Sequence, residues 1–279
     1  MHIKNRSLLH IMTITFSTCW YIFKAKFDPT IYKEWMHNML SNVNNYNLVV
    51  YCDSDSYPYI EPYLNNPRIV ATLKSPTRFS TSKCEELWKK NHEGNVLLRD
   101  RIDWRLNMLW SEKINFVKET ISEQYFDTEW HGWCDIGYFR GRPNDSTVDE
   151  LKMWPSDKIE ATLDRSKIYY ACVNNNPTYI QRLSQMILDK NSLGLPRFPI
   201  PPDQVSIAGG FFLCHRNMMP VWHTEYYVKL LRYLKNGVCV KDDQIIIADC
   251  VFSNKNWFHL CQENDPKYDN WFMFQRLLM

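Results

Sequence analysis

At 279 residues, 45% of them hydrophobic, the chain has the apolar material for one large α/β domain and falls outside the disordered class. Its 33 Lys and Arg against 31 Asp and Glu leave a net charge of +2, which supplies no basic field for nucleic acid. Nine cysteines without a CxxC pair exclude a structural zinc site and a disulfide framework, and point to a reducing compartment.

Lys4 and Arg6 precede the apolar stretch Leu8 to Phe16 in the manner of a signal peptide. His10 and two threonines interrupt that run, no small-residue cleavage site follows, and Cys19-Trp20-Tyr21 is bulky, so the expected location is the cytoplasm. No stretch approaches the roughly 18 apolar residues of a membrane span.

His10 to Phe16 alternates and is rich in β-formers, which predicts a first strand with Thr15 and Phe16 at its C-terminal end. Asp28-Pro29 opens a helix carrying Ile31, Trp35, Met39 and Leu40 near helical spacing. Strands follow at Asn47 to Cys52, ending in Asp53-Ser54-Asp55, and at Arg68 to Leu73. After a polar loop, Leu97 to Glu123 reads as one long helix with Leu98, Ile102, Leu106, Leu109, Ile114 and Val117 on its buried face. Trp130 to Ile136 and Ile168 to Val173 read as further strands, Thr178 to Leu188 as a helix, and the stretch up to Asp203 as a proline-rich loop. Strands alternating with helices predict a Rossmann-type, mostly parallel sheet flanked by helices in a single domain, with residues 1–140 and 141–279 as its two halves.

Open α/β sheets bind ligands at the C-terminal ends of their strands, which directs attention to Asp53, Asp55, Asp135 and the Gly209-Gly210 pair. Asp53-Ser54-Asp55 has the spelling of a DxD metal motif. Asp135, in Trp133-Cys134-Asp135-Ile136-Gly137, has the placement instead, since it follows a long helix and ends an apolar strand. Asp135 is the leading candidate, and its structural alternative is a strand-end acid paired with Arg140 or Arg142. Glycine weakens a strand unless something must approach its backbone, so Gly209-Gly210 within Ile207 to Leu213 marks either a bulge or a place where a sugar comes close. Asp242-Asp243-Gln244 opens an apolar helix. Capping accounts for one of those acids, and the other is available as a general base, Asp243 before Asp242. Lys113 and Arg105 on the long helix are candidates to reach a diphosphate, and His259 is a candidate to complete a metal site with Asp135. His131, His215 and His223 have no metal-ligand spacing with one another.

The order of Thr15-Phe16, Lys113, Trp133-Cys134-Asp135-Ile136-Gly137, Ala208-Gly209-Gly210-Phe211-Phe212 and Asp242-Asp243-Gln244 resembles the bacterial HtrL/YibB-type proteins. Those look like GT-A glycosyltransferases, and similar stand-alone enzymes occur in large DNA viruses that glycosylate their own capsids, for which the location would be the host cytoplasm. The resemblance implies a GT-A-like fold, a nucleotide-sugar donor that is usually uridine-linked (UDP), a glycan or glycoprotein acceptor, and Mn²⁺ or Mg²⁺. Carried over by position, Thr15, Phe16, Lys113, Asp135 and Gly137 would meet the donor, Asp135 and His259 the metal, Gly209, Gly210 and Gln244 the acceptor side, and Asp243 with Asp242 the chemistry. Gly137 stands where a full motif has its second carboxylate. The 15% aromatic content suits carbohydrate, whose C–H faces stack on rings. An inverting sugar transferase is therefore the expectation, with a non-catalytic carbohydrate-binding protein as the alternative and a metal phosphohydrolase using Asp53 and Asp55 as the third class.

Overall fold

The structure is a computed structural model that describes residues 14–156 and 159–279. Seven strands form one sheet: β1 (Ile14–Trp20), β2 (Tyr46–Cys52), β3 (Ile69–Leu73), β4 (Trp130–Cys134), β5 (Ile168–Ala171), β6 (Phe211–His215) and β7 (Phe258–Cys261). They stand in the order β3-β2-β1-β4-β6-β5-β7. Neighbours are parallel except in the two pairings made by β6, which runs against β4 on one side and β5 on the other. The helices are α1 (Pro29–Leu40), α2 (Glu85–Gly94), α3 (Trp104–Ser122), α4 (Val148–Leu151), α5 (Pro177–Leu188), α6 (Met219–Lys235), α7 (Asp243–Ser253) and α8 (Phe274–Leu277). The expected mostly parallel α/β sheet flanked by helices is thus what the chain forms.

Both faces of the sheet are covered, and the two-residue period of the strands divides the core between them. In β2 every residue is buried, as expected of an inner parallel strand. Val49 and Tyr51 turn toward the cluster built with α3, α6 and α7, while Tyr46, Leu48 and Val50 join Phe16, Met39 and Trp154 on the α1 side. Polar strand residues are matched across the layers: Ser17 Oγ lies 2.8 Å from Thr120 Oγ1 on α3, and Thr15 Oγ1 lies 2.7 Å from Thr128 Oγ1.

Several boundaries differ from the sequence reading for local reasons. Residues 10–13 of the expected first strand, with most of the Leu8 to Phe16 run, lie outside the described residues. Pairing with β2 carries β1 on through Thr18 and Cys19 to Trp20, four residues past the expected end. The long helix begins at Trp104, where the Asp103 carboxylate accepts from the Arg105 N–H at 2.8 Å; Leu98 and Ile102 are buried in the turns before it. Within the stretch read as polar loop, α2 forms around a single buried Trp88, too thin an apolar stripe to show in the pattern. All nine cysteines are free thiols. Among the described residues no helix is long and apolar enough to cross a membrane.

Candidate functional site

Three charged side chains from distant parts of the chain converge at one edge of the sheet. Asp135 follows β4 directly, and its N–H donates to the Gly210 carbonyl at 2.8 Å, so the antiparallel β4–β6 ladder continues one step past both strands. The Trp133 indole N–H donates to Asp135 Oδ1 at 2.6 Å and fixes the carboxylate. Lys113, buried on α3, donates to the Gly209 carbonyl at 2.9 Å and places its ammonium 3.0 Å from Asp135 Oδ1 and 3.1 Å from Asp243 Oδ2. Asp243 comes from the first turn of α7.

The glycines are there for the close approach. A Cβ at Gly209 would lie 2.9 Å and 3.0 Å from the Asp243 carboxylate oxygens, and one at Gly210 would lie 3.1 Å from Asp135 Oδ2. Neither has a left-handed φ, so the missing side chain, not backbone freedom, explains both.

The two aspartates differ in kind. The Asp243 side chain is 6% exposed and that of Asp135 41%. Burial pushes the Asp243 carboxyl up to about 6, assisted by Asp242 and Asp135 and opposed by Lys113. Lys113 is driven in the same direction: burial disfavours its charge, but the Asp135 and Asp243 carboxylates outweigh that and raise its pKa. Asp243 Oδ2 receives no directed hydrogen bond among the described residues, so its contact with Lys113 is Coulombic. Asp242 occupies the cap position of α7 without capping it. Its Oδ2 is 3.0 Å from Lys241 Nζ, and its Oδ1 is buried without a hydrogen-bond partner among the described residues. Helix capping therefore accounts for neither acid.

These groups line a cavity of about 440 Å³. One wall is the end of β1 and the segment after it, Cys19 to Phe23 and Ala25 to Phe27, with Trp110 of α3. Another is the turn after β4 with Tyr32, Trp271 and Phe272. Arg140 also lines it, stacked 4.2 Å over the Trp35 ring and 4.7 Å over Phe272, with its Nε–H given to the Gly137 carbonyl at 3.1 Å. Volume, aromatic walls and a few converging polar groups are the general features of a small-molecule site.

Of the residues singled out in the sequence, Lys113, Asp135, Gly137, Gly209, Gly210, Asp242, Asp243 and Gln244 all line this cavity. Thr15 and Phe16 do not: β1 continues four residues beyond them, and both are sealed in the sheet interior, so Cys19 to Phe23 hold the place expected for them. His259 is not brought to Asp135. It lies on the edge strand β7, two strands beyond β6, with its ring 5.2 Å from Tyr169. Asp53 accepts from the Ser56 N–H at 2.9 Å as a turn acid, and neither it nor Asp55 lines the cavity. Arg105 is held by Asp103. Asp135 is not the partner of Arg140 or Arg142, since Arg142 bonds Asp145 and Asp269 instead. His131, buried against the Thr128 carbonyl, and His223, beside Asn115, are held neutral by burial, each with a pKa lowered to about 4. The sequence reading missed Lys26, Tyr32, Trp110, Trp271 and Phe272; an isolated aromatic carries no positional signal by itself.

The donor set does not fit a divalent cation. Among the described residues no three His, Cys, Asp or Glu side chains gather as a ligand group. The ammonium of Lys113 already fills the space between Asp135 and Asp243, and Asp135 Oδ1 is shared with the Trp133 N–H. No protein-family model matches the chain, and no curated protein matches it.

Proposed function

We propose that the protein is a glycosyltransferase of GT-A type, moving a sugar from a nucleotide-diphosphate donor, uridine-linked in the first instance, to a hydroxyl of a glycan acceptor. The observation that carries this reading is the Asp243 carboxylate: buried, incompletely hydrogen-bonded, raised to about 6 and facing an aromatic-lined cavity at the ligand-binding edge of the sheet. A carboxylate so placed is ionised at neutral pH yet still basic enough to take a proton in a transition state.

The acceptor hydroxyl gives its proton to Asp243 while its oxygen forms a bond to the anomeric carbon. The bond from that carbon to the diphosphate oxygen breaks, and the diphosphate departs with the electron pair. Lys113 holds Asp243 by charge and is fixed in turn by Asp135 and the Gly209 carbonyl. The absent side chains at Gly209 and Gly210 let the Asp243 and Asp135 carboxylates pack against that turn, and the aromatic walls present faces on which a sugar ring can stack.

A calorimetric screen of nucleotide sugars, followed by a transfer assay on the binders, tests this reading. Stabilisation by one nucleotide sugar and transfer lost in Asp243→Asn are the expected results. Transfer that survives in that variant would remove Asp243 from the chemistry, and an absence of binding to every nucleotide would discard the donor site.

A further inference from the structure

We propose that this site works without a divalent metal: Lys113 is the built-in cation between Asp135 and Asp243, and the donor diphosphate is held by the guanidinium of Arg140, aided by Lys26. The inference rests on the glycosyltransferase reading and concerns how that reaction's leaving group is bound.

Two independent observations lead to it. The first is that Lys113 is fully engaged. Its ammonium donates to the Gly209 carbonyl at 2.9 Å and lies 3.0 Å from an Asp135 oxygen and 3.1 Å from an Asp243 oxygen, and the side chain is buried. A divalent ion placed between those carboxylates would meet an ammonium that has nowhere else to go. Its charge would be repelled at close range in surroundings where water screens little. Gly137 stands in place of a second acid, and Asp135 Oδ1 is already engaged by the Trp133 N–H and the Lys113 ammonium.

The second observation is a pair of unclaimed cations on the cavity wall. Four Lys and Arg residues line the cavity: Lys26, Lys113, Arg140 and Arg142. Lys113 and Arg142 are each held by two aspartates. Arg140 and Lys26 form no ion pair with a carboxylate among the described residues. Arg140 is held all the same, its guanidinium carbon 4.2 Å from the Trp35 ring, 4.7 Å from Phe272 and 5.6 Å from Phe27, and its Nε–H given to the Gly137 carbonyl. Its terminal nitrogens have no protein acceptor among the described residues. A guanidinium oriented by stacking and left with free N–H groups is suited to grip two phosphate oxygens at once. Lys26, whose Nζ lies 4.8 Å over the Trp110 ring, supplies a second, more mobile charge.

The test has two arms. Uridine 5′-diphosphate is titrated calorimetrically into metal-stripped protein in EDTA, and again in Mn²⁺. Binding of similar strength in both, weakened at least about 10-fold by Arg140→Met, is the expected result. Binding seen only with Mn²⁺ overturns the inference and leaves the glycosyltransferase reading standing; no binding in either buffer brings down both. In the second arm, Mn²⁺ is titrated in the absence of nucleotide and followed by electron paramagnetic resonance. The wild type should bind none at this site, and Lys113→Ala should gain one ion that Asp135→Asn then removes. Stoichiometric Mn²⁺ binding by the wild type that Asp135→Asn abolishes would overturn the proposal even if Lys113→Ala fails to fold.

Discussion

Two lysine–aspartate clusters sit at opposite ends of α7, and they are built to opposite specifications. At Asp249 every carboxylate lone pair is used: Oδ1 accepts from Lys190 and Lys229, both at 2.6 Å, and from Ser253 at 3.0 Å, while Oδ2 accepts from Lys190 at 2.7 Å and Tyr233 at 2.5 Å. Burial opposes its charge, but Lys229 and those hydrogen bonds prevail and hold the carboxyl below its usual range. At the other end, Lys113 serves two acids, Asp243 Oδ2 and Asp242 Oδ1 lack hydrogen-bond donors among the described residues, and Asp243 is pushed up. Both clusters contain buried Lys–Asp pairs, so burial and pairing alone do not mark a site. What distinguishes a site is basicity left unspent beside a space that a ligand can enter.

Four experiments break or sharpen that contrast. The largest effects should come from swapping each acid for its amide. Asp249→Asn takes the paired carboxylate from Lys190 and leaves Lys229 with Glu225 alone, and should cost about 3–5 kcal/mol of stability in a denaturant titration. Asp243→Asn should leave the protein at least as stable as the wild type, since it removes a carboxylate whose ionisation burial opposes, yet slow transfer by about 100- to 10,000-fold. If both variants only unfold the protein, the two clusters are the same kind of object.

Gly209→Ala comes next. The added methyl group must displace the Asp243 carboxylate, and a misplacement of that order should slow transfer about 100-fold while circular dichroism stays unchanged.

A smaller effect is the pH dependence. Because the folded Asp243 carboxyl is raised from 3.8 to about 6, the native state binds more protons than the unfolded one over that interval. The stability contributed by this residue therefore falls as pH rises from about 4 to about 6 and is level above. His131 and His223, held neutral, slope the other way between about 6.5 and 4, so the quantity to measure is the difference between wild type and Asp243→Asn. That difference should be largest above pH 6 and shrink toward pH 4, whereas transfer by the wild type should rise through pH 6. Asp249, shifted in the opposite direction, loses its contribution only as acid titrates it.

His259→Ala should do least, changing neither transfer nor nucleotide affinity beyond error, since the residue is exposed on an edge strand away from the cavity.

Local signals served well where one element carried the whole message. The Asp28-Pro29 cap, the buried run of β2 and the proline start of α5 each fall within one residue of their expected places. Asp135 and Asp243 were legible as acids because one ends a strand and the other opens a helix, whereas Lys113, mid-way along α3, was expected to reach a diphosphate and pairs with both of them instead. Thr15 and Phe16 were misplaced because strand-favouring residues continue through Trp20, and nothing local marks where pairing stops. The pair Asp135 and His259 illustrates the limit of residue type as a guide, since only the strand order shows them apart. Arg140 looked like a charge partner for Asp135; its stacking on Trp35 and Phe272 joins segments that no sequence window contains.

The single reversed strand has a further consequence. Because β6 runs against β4, the beginning of one and the end of the other are tied by the Asp135 N–H to Gly210 carbonyl bond, and the spacing between Asp135 and the Gly209-Gly210 turn is inherited from sheet register. The cavity rim is made of something else: the connection from Ile22 to Pro29 and the segment holding Trp271 and Phe272. The acids and the aromatic walls thus lie on separable pieces of chain. Under the proposed function, exchanging those walls should retune the site to a different sugar or acceptor while the carboxylates stay where they are.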